Sequence, residues 1–141
     1  MKKAIGSLVV AAALGGALWA FATWPLLNDV ETGRTPEYPD LQVRTYEAGV
    51  ETVARAVREA LAGLPRWTVV GSGHGPEGAF VSAVHETLVF RFKDDVTVRI
   101  RRTGGRTTLS ARSRSRVGKW DLGQNARNLR ELLEAVDARL R

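Results

Sequence analysis

The stretch Val96-Thr-Val-Arg-Ile-Arg-Arg-Thr-Gly-Gly-Arg-Thr-Thr-Leu-Ser-Ala-Arg-Ser-Arg-Ser-Arg-Val117 decides the fold. Val96, Val98 and Ile100 alternate with Thr97, Arg99 and Arg101, the period of two that belongs to a strand with one buried face. Gly104-Gly105 then supplies the residues of a tight hairpin turn, and the returning run carries Leu109, Ala111, Ser113, Ser115 and Val117 on one parity. Upstream, Phe80, Val84, Leu88, Phe90 and Phe92 share even numbers, which predicts one long strand facing inward with Lys93-Asp94-Asp95 as the polar turn after it. Trp67 to Val70 reads as a further strand, and the glycine-rich segment Gly71 to Gly78 turns the chain.

Two segments have helical spacing instead. Val50, Val53, Ala54, Val57, Leu61 and Leu64 form a stripe that Pro65 ends, and Ala126, Leu129, Leu132, Leu133, Val136 and Leu140 form another. Asp121 with Gln124 three residues on resembles a capping box at the start of the second. With a short strand at Gln42 to Glu47, the order β-α-ββββ-α predicts an α+β domain: an antiparallel sheet of four to five strands with both helices on one face.

Ahead of this domain, expected over residues 41–141, lie two other segments. Ala4 to Asn28 is uncharged and follows Met1-Lys2-Lys3, so one N-terminal transmembrane helix is expected within residues 1–28, with residues 4–27 in the membrane and the domain on the extracytoplasmic side of the cytoplasmic membrane. A signal peptide cleaved near Ala22, giving a secreted protein, is the alternative. Residues 29–40, with Pro36 and Pro39, read as an extended linker.

The run Phe92 to Ile100, the string Ser113-Arg-Ser-Arg-Val-Gly-Lys-Trp-Asp-Leu-Gly-Gln-Asn-Ala126 and the upstream Asn28 to Thr32 and Pro36 to Asp40 resemble the domain-of-unknown-function 1499 family. The likeness covers nearly everything after the apolar run. It brings no established activity, cofactor or catalytic residue.

Composition narrows the chemistry. The 141 residues include no cysteine and two histidines, which excludes disulfides, thiolate metal sites and cysteine nucleophiles, and no metal or cofactor is expected. Gly73-His-Gly-Pro-Glu-Gly78 satisfies G-x-G-x-x-G, but a strand rather than a helix follows, so the pyrophosphate of a dinucleotide would have no helix N-terminus to sit on. His85-Glu86 lacks the second histidine of a zincin helix, and no Gly-x-Ser-x-Gly elbow is present.

Charge is the stronger signal. Ten basic residues and two acids lie between Arg91 and Lys119. Arg99, Arg101, Arg112, Arg114 and Arg116 share the outward parity, so they are the candidate anion-binding residues of an open sheet face. Anionic lipid headgroups or envelope polymers fit that face better than nucleic acid, for which no outward aromatic is expected. The leading expectation is a non-catalytic binding module for such a ligand. The alternatives are a hydrolase-like enzyme using Asp94, Asp95 and Asp121 with Arg116, and a domain that docks on an envelope protein. Asp94, Asp95, Gly118, Asp121, Gly123 and Asn125 are expected to form a structural junction: the glycines let the chain turn, Asp121 caps the last helix, and Arg116 swings toward Asp121.

Overall fold

The computed structural model describes residues 2–141, the side chains of residues 2–8, 11, 20 and 21 excepted. Three helices and six strands follow in the order α1 (Lys2–Thr23), β1 (Asp29–Glu31), β2 (Arg44–Tyr46), α2 (Val50–Gly63), β3 (Trp67–Gly75), β4 (Gly78–Glu86), β5 (Lys93–Thr103), β6 (Arg106–Ser115) and α3 (Gln124–Leu140). The sheet is antiparallel throughout, in the order β1-β6-β5-β4-β3, and β2 pairs with β6 beside β1. The α+β architecture and the antiparallel sheet agree with the sequence; the sheet has six strands rather than four or five.

The transmembrane expectation is corrected. Among the described residues no helix is long and apolar enough to cross a membrane. Helix α1 ends at Thr23, because Pro25 has no N–H to continue it and restricts Trp24 to extended backbone, so the last four residues of the expected span, Trp24 to Leu27, are not helical. Within the apolar run the side chains of residues 4–8, 11, 20 and 21 lie outside the description.

The expected linker is also more than a spacer. Val30 in β1 is fully buried, Leu41 is buried, and Thr32 is tied to β6 in both directions: its N–H donates to the Ala111 carbonyl (3.0 Å), and its hydroxyl accepts from the Ala111 N–H (3.0 Å). These residues close the edge of the sheet.

Helices α2 and α3 cover one face. Val53, Val57 and Leu61 from α2 and Leu129, Leu132, Leu133 and Val136 from α3 pack on Val81, Val96, Val98, Ile100, Leu109 and Ala111. The β5 and β6 parity is as the alternation predicts up to Ser115, where β6 ends and leaves Val117 exposed. That of β4 is reversed: Ala79, Val81, Ala83 and His85 face the helices, while Phe80 is exposed on the other side. The strand also stops at Glu86, so Leu88, Phe90 and Phe92 belong to a loop, and Lys93, Asp94 and Asp95 begin β5 instead of forming a turn. The G-x-G-x-x-G glycines lie on the β3–β4 hairpin, where Gly75 pairs with Gly78.

Tyr46 anchors the far end of α3, its hydroxyl donating to Asp137 Oδ1 at 2.7 Å. Burial, and then the adjacent Asp137 carboxylate, push its phenol well above the ordinary range. The folded chain therefore keeps the phenol neutral to higher pH than the unfolded chain does. The stabilisation is complete below the ordinary phenol pKa of about 10 and is lost as pH rises beyond it. A Tyr46→Phe variant is expected to flatten the alkaline limb of a plot of urea midpoint against pH.

Candidate functional site

Two loops at one end of the sheet frame a groove of about 550 Å³. The β4–β5 loop contributes Thr87, Leu88, Val89, Phe90 and Phe92, and the β6–α3 junction contributes Val117, Gly118, Trp120, Asp121 and Leu122. The first loop is closed by Thr87, whose N–H donates to the Phe92 carbonyl (2.9 Å) and whose hydroxyl accepts from the Phe92 N–H (2.9 Å). That clasp turns Phe90 and Phe92 onto each other as a stacked pair, centroids 5.5 Å apart. Each loop also holds a non-glycine residue in the left-handed region, Arg91 at φ 54° and Leu122 at φ 52°. Such backbone costs of order 1–3 kcal/mol and persists where the surroundings over-determine it.

Beneath the apolar walls lies a polar floor. Asn125, fully buried on the first turn of α3, donates through Nδ2 to Ser115 Oγ (2.8 Å) and Asp121 Oδ2 (2.6 Å), and its Oδ1 accepts from Ser113 Oγ (2.6 Å). Asn128, one turn on, donates to Asp94 Oδ2 at 2.8 Å and to Ser113 Oγ at 3.2 Å. Asp94 is only 2% exposed, and His85 Nδ1 lies 3.7 Å from its carboxylate, too far for a hydrogen bond. Asp121 Oδ1 accepts from the Gly123 N–H (2.8 Å), and its Oδ2 accepts from the Asn125 N–H (2.7 Å). Asp121 thus holds the start of α3. Among the described residues no group of three or more His, Cys, Asp or Glu converges as a metal site.

The junction residues accordingly come together around the N-terminus of α3, except for Asp95. On the antiparallel ladder Asp94 and Asp95 point to opposite faces: Asp94 goes to the floor, and Asp95 goes to the open face, where Arg116 grips it bidentately. That contact holds the Asp95 carboxyl below the usual range. Arg116 is therefore committed to Asp95, not to Asp121 as expected.

The arginines of the open face are interleaved with acids rather than massed. Arg112 grips Asp29 of β1, whose carboxyl is lowered chiefly by that hydrogen bond, and Arg101 lies 3.7 Å from Glu77. Arg91, off the sheet in the loop, pairs with Glu86 at 2.8 Å. Arg99 and Arg114 have no ion pair among the described residues. The sequence could not show this, because Asp29 reaches the face from a strand of three residues, too short to leave a periodic signal.

The segment Ser115 to Asn125, within the quoted string Ser113 to Ala126, supplies wall and floor of the groove. A family model described as "Protein of unknown function (DUF1499)" matches residues 22–136. The chain belongs to that family. The match begins just before Trp24, whose ring packs against Gly123 so closely that a side chain there would strike it: an added Cβ would lie 2.8 Å from Trp24 Cζ2. The arm from Trp24 to Asn28 is thus part of the matched domain, bonded to the junction through Asp121 N–H to the Leu27 carbonyl (2.9 Å) and Asn28 Nδ2 to the Gly118 carbonyl (2.8 Å). A search among curated proteins found no match.

Proposed function

We propose that this domain is a non-catalytic binding module for an amphipathic anionic ligand, with the ligand's apolar part in the end groove and its acidic head at the rim beside Arg127 and Lys119. The carrying observation is the groove itself: Leu88, Val89, Phe90, Phe92, Val117, Trp120 and Leu122 are all exposed around one cleft with a polar floor. A domain of this size gains nothing in stability from exposing seven large apolar side chains together, and such a concentration marks a binding surface. The groove-lining Leu122, held in left-handed backbone, supports the same reading, as does Arg91 in the same conformation between Phe90 and Phe92.

Binding suits the floor better than catalysis does. Ser113 and Ser115 are tied to an amide rather than to an imidazole, and Asp121 is occupied by three donors. The acid set considered for hydrolysis is divided between two faces of the sheet. In this reading the anionic head is held at the groove rim rather than on the arginine face of the sheet.

Dansylated undecanoic acid below its micellar concentration tests the proposal by fluorescence titration. Each methylene taken from water contributes about 0.8 kcal/mol, so a charge placed in the wall has a large effect. Phe92→Asp is expected to weaken binding about tenfold or more, and the double variant Arg99→Gln, Arg114→Gln to change it by less than about twofold. The reverse ranking would return the site to the open face of the sheet and sink the groove.

A further inference from the structure

We infer that the two loops around the groove form a tip that docks on the surface of an anionic lipid bilayer, so that the groove mouth opens against the membrane from which its ligand comes. The inference rests on the groove reading, because the loop side chains that wall the groove also form its outer rim. Leu88, Val89 and Phe90 are consecutive, 73–77% exposed, and stand at the outermost turn of the β4–β5 loop. Val117 and Trp120 are exposed on the neighbouring loop. Apolar side chains at a loop apex reach the boundary between headgroups and acyl chains without carrying the backbone into hydrocarbon, where its polar groups would be unsatisfied.

Charge complementarity selects an anionic surface. Residues 87–93 contain Arg91 and Lys93 and no acid, and residues 115–120 contain Arg116 and Lys119 and no acid. Arg91 and Arg116 are partly neutralised by Glu86 and Asp95. Lys93 and Lys119 are exposed and have no ion pair among the described residues. Of the carboxylates around the tip, Glu86, across the ladder from Lys93, and Asp95 are engaged by Arg91 and Arg116, Asp94 is buried, and Asp121 is engaged by α3. The tip therefore presents apolar bulk within a collar of positive charge.

The opposite end of the sheet has the other character. Its hairpin turns carry Pro76-Glu77 and Thr103-Gly104-Gly105-Arg106, with no large apolar side chain among them. The N-terminal arm also leaves the domain from the tip end, since Trp24 to Asn28 is bonded to residues 118–121. Polarity, charge and chain direction thus distinguish one end from the other.

The absence of cysteine makes a direct test available. In the full chain, Val89→Cys carries an environment-sensitive NBD label at the tip, and Thr103→Cys carries it at the far end. On addition of vesicles containing phosphatidylglycerol, the label at position 89 is expected to shift to the blue and to be quenched by spin-labelled lipid, while the label at 103 does not respond. Vesicles of phosphatidylcholine alone should produce a markedly smaller change. Lys93→Gln with Lys119→Gln in the labelled chain should weaken the response about tenfold or more. A silent label at 89, equal responses at 89 and 103, or equal responses to the two vesicle types would overturn the inference. These readouts are separate from the dansyl titration: loss of fatty-acid binding with an intact response at 89 removes the ligand reading alone, and the opposite result removes the docking alone.

Discussion

A Gly78→Ala variant is expected to lose about 3–5 kcal/mol of stability, enough to lower its melting point by more than about 10 °C. Gly78 opens β4 at φ 134°, a conformation that is essentially closed to side chains. A Cβ added there would drive into the Ile100 carbonyl and lie 3.1 Å from Arg101 Cα. Neither neighbour can give way easily. Ile100 is fully buried on β5, a strand bonded to β4 on one side and β6 on the other, so moving its carbonyl disturbs two ladders. Gly75, the cross-strand partner, is the control: a Cβ there meets nothing within 4 Å. Gly75→Ala should therefore stay within about 1 kcal/mol of the parent in urea denaturation. Equal losses from the two variants would mean that the hairpin is looser than its backbone angles imply.

The same hairpin shows where sequence legibility stopped. The β5–β6 ribbon was readable because every inward position from Val96 to Ile100 is bulky and branched, and the two helices because their stripes are long. On β4 the largest side chain, Phe80, stands on the outward parity with Val84, while Val81 and His85 share the inward parity with Ala79 and Ala83. Helix α2 lies close over β4, leaving room for Ala79 and Ala83, whereas Phe80 turns to the open face and lays its ring over Gly73. A count of bulk therefore chose the wrong face, although the small residues at Ala79, Ala83 and Gly73 were a usable signal of close packing. The strand also looked longer than it is, because Phe90 and Phe92 continue its parity through a loop that the Thr87 clasp folds back. That parity conceals the groove: it places Leu88, Phe90 and Phe92 in the core, whereas they are the exposed walls of the site. The junction was legible as a helix start from Asp121 and its glycines, but not as a floor, because Asp94 and Asn128 join it through tertiary contacts 34 residues apart.

The floor yields the second large effect, at Asp121. Sequence reasoning treats it as a single-acceptor cap, for which asparagine is a good substitute and alanine costs about 1 kcal/mol. The structure changes that ranking. Both carboxylate oxygens are used, Oδ1 by the Gly123 N–H and Oδ2 by the Asn125 N–H together with Asn125 Nδ2. Asparagine offers one acceptor oxygen, and whichever way its amide is turned, its NH₂ faces an N–H that also needs an acceptor. Asp121→Asn and Asp121→Ala are each expected to cost about 2–3 kcal/mol, since hydrogen bonds to a charged group are lost and a part-buried donor is left unmet. The damage should spread through Asn125, which loses one of the contacts that orient its amide toward Ser113 and Ser115. Amide exchange would report it as faster exchange at Gly123 and Asn125, with β3 and the α2 interior changed only by the global loss. An Asn variant within about 0.5 kcal/mol of the parent would show that one acceptor suffices and that the floor does not need the carboxylate. The expected near-equality of Ala and Asn follows from the number of donors that converge on the side chain, and it holds whatever ligand the groove takes.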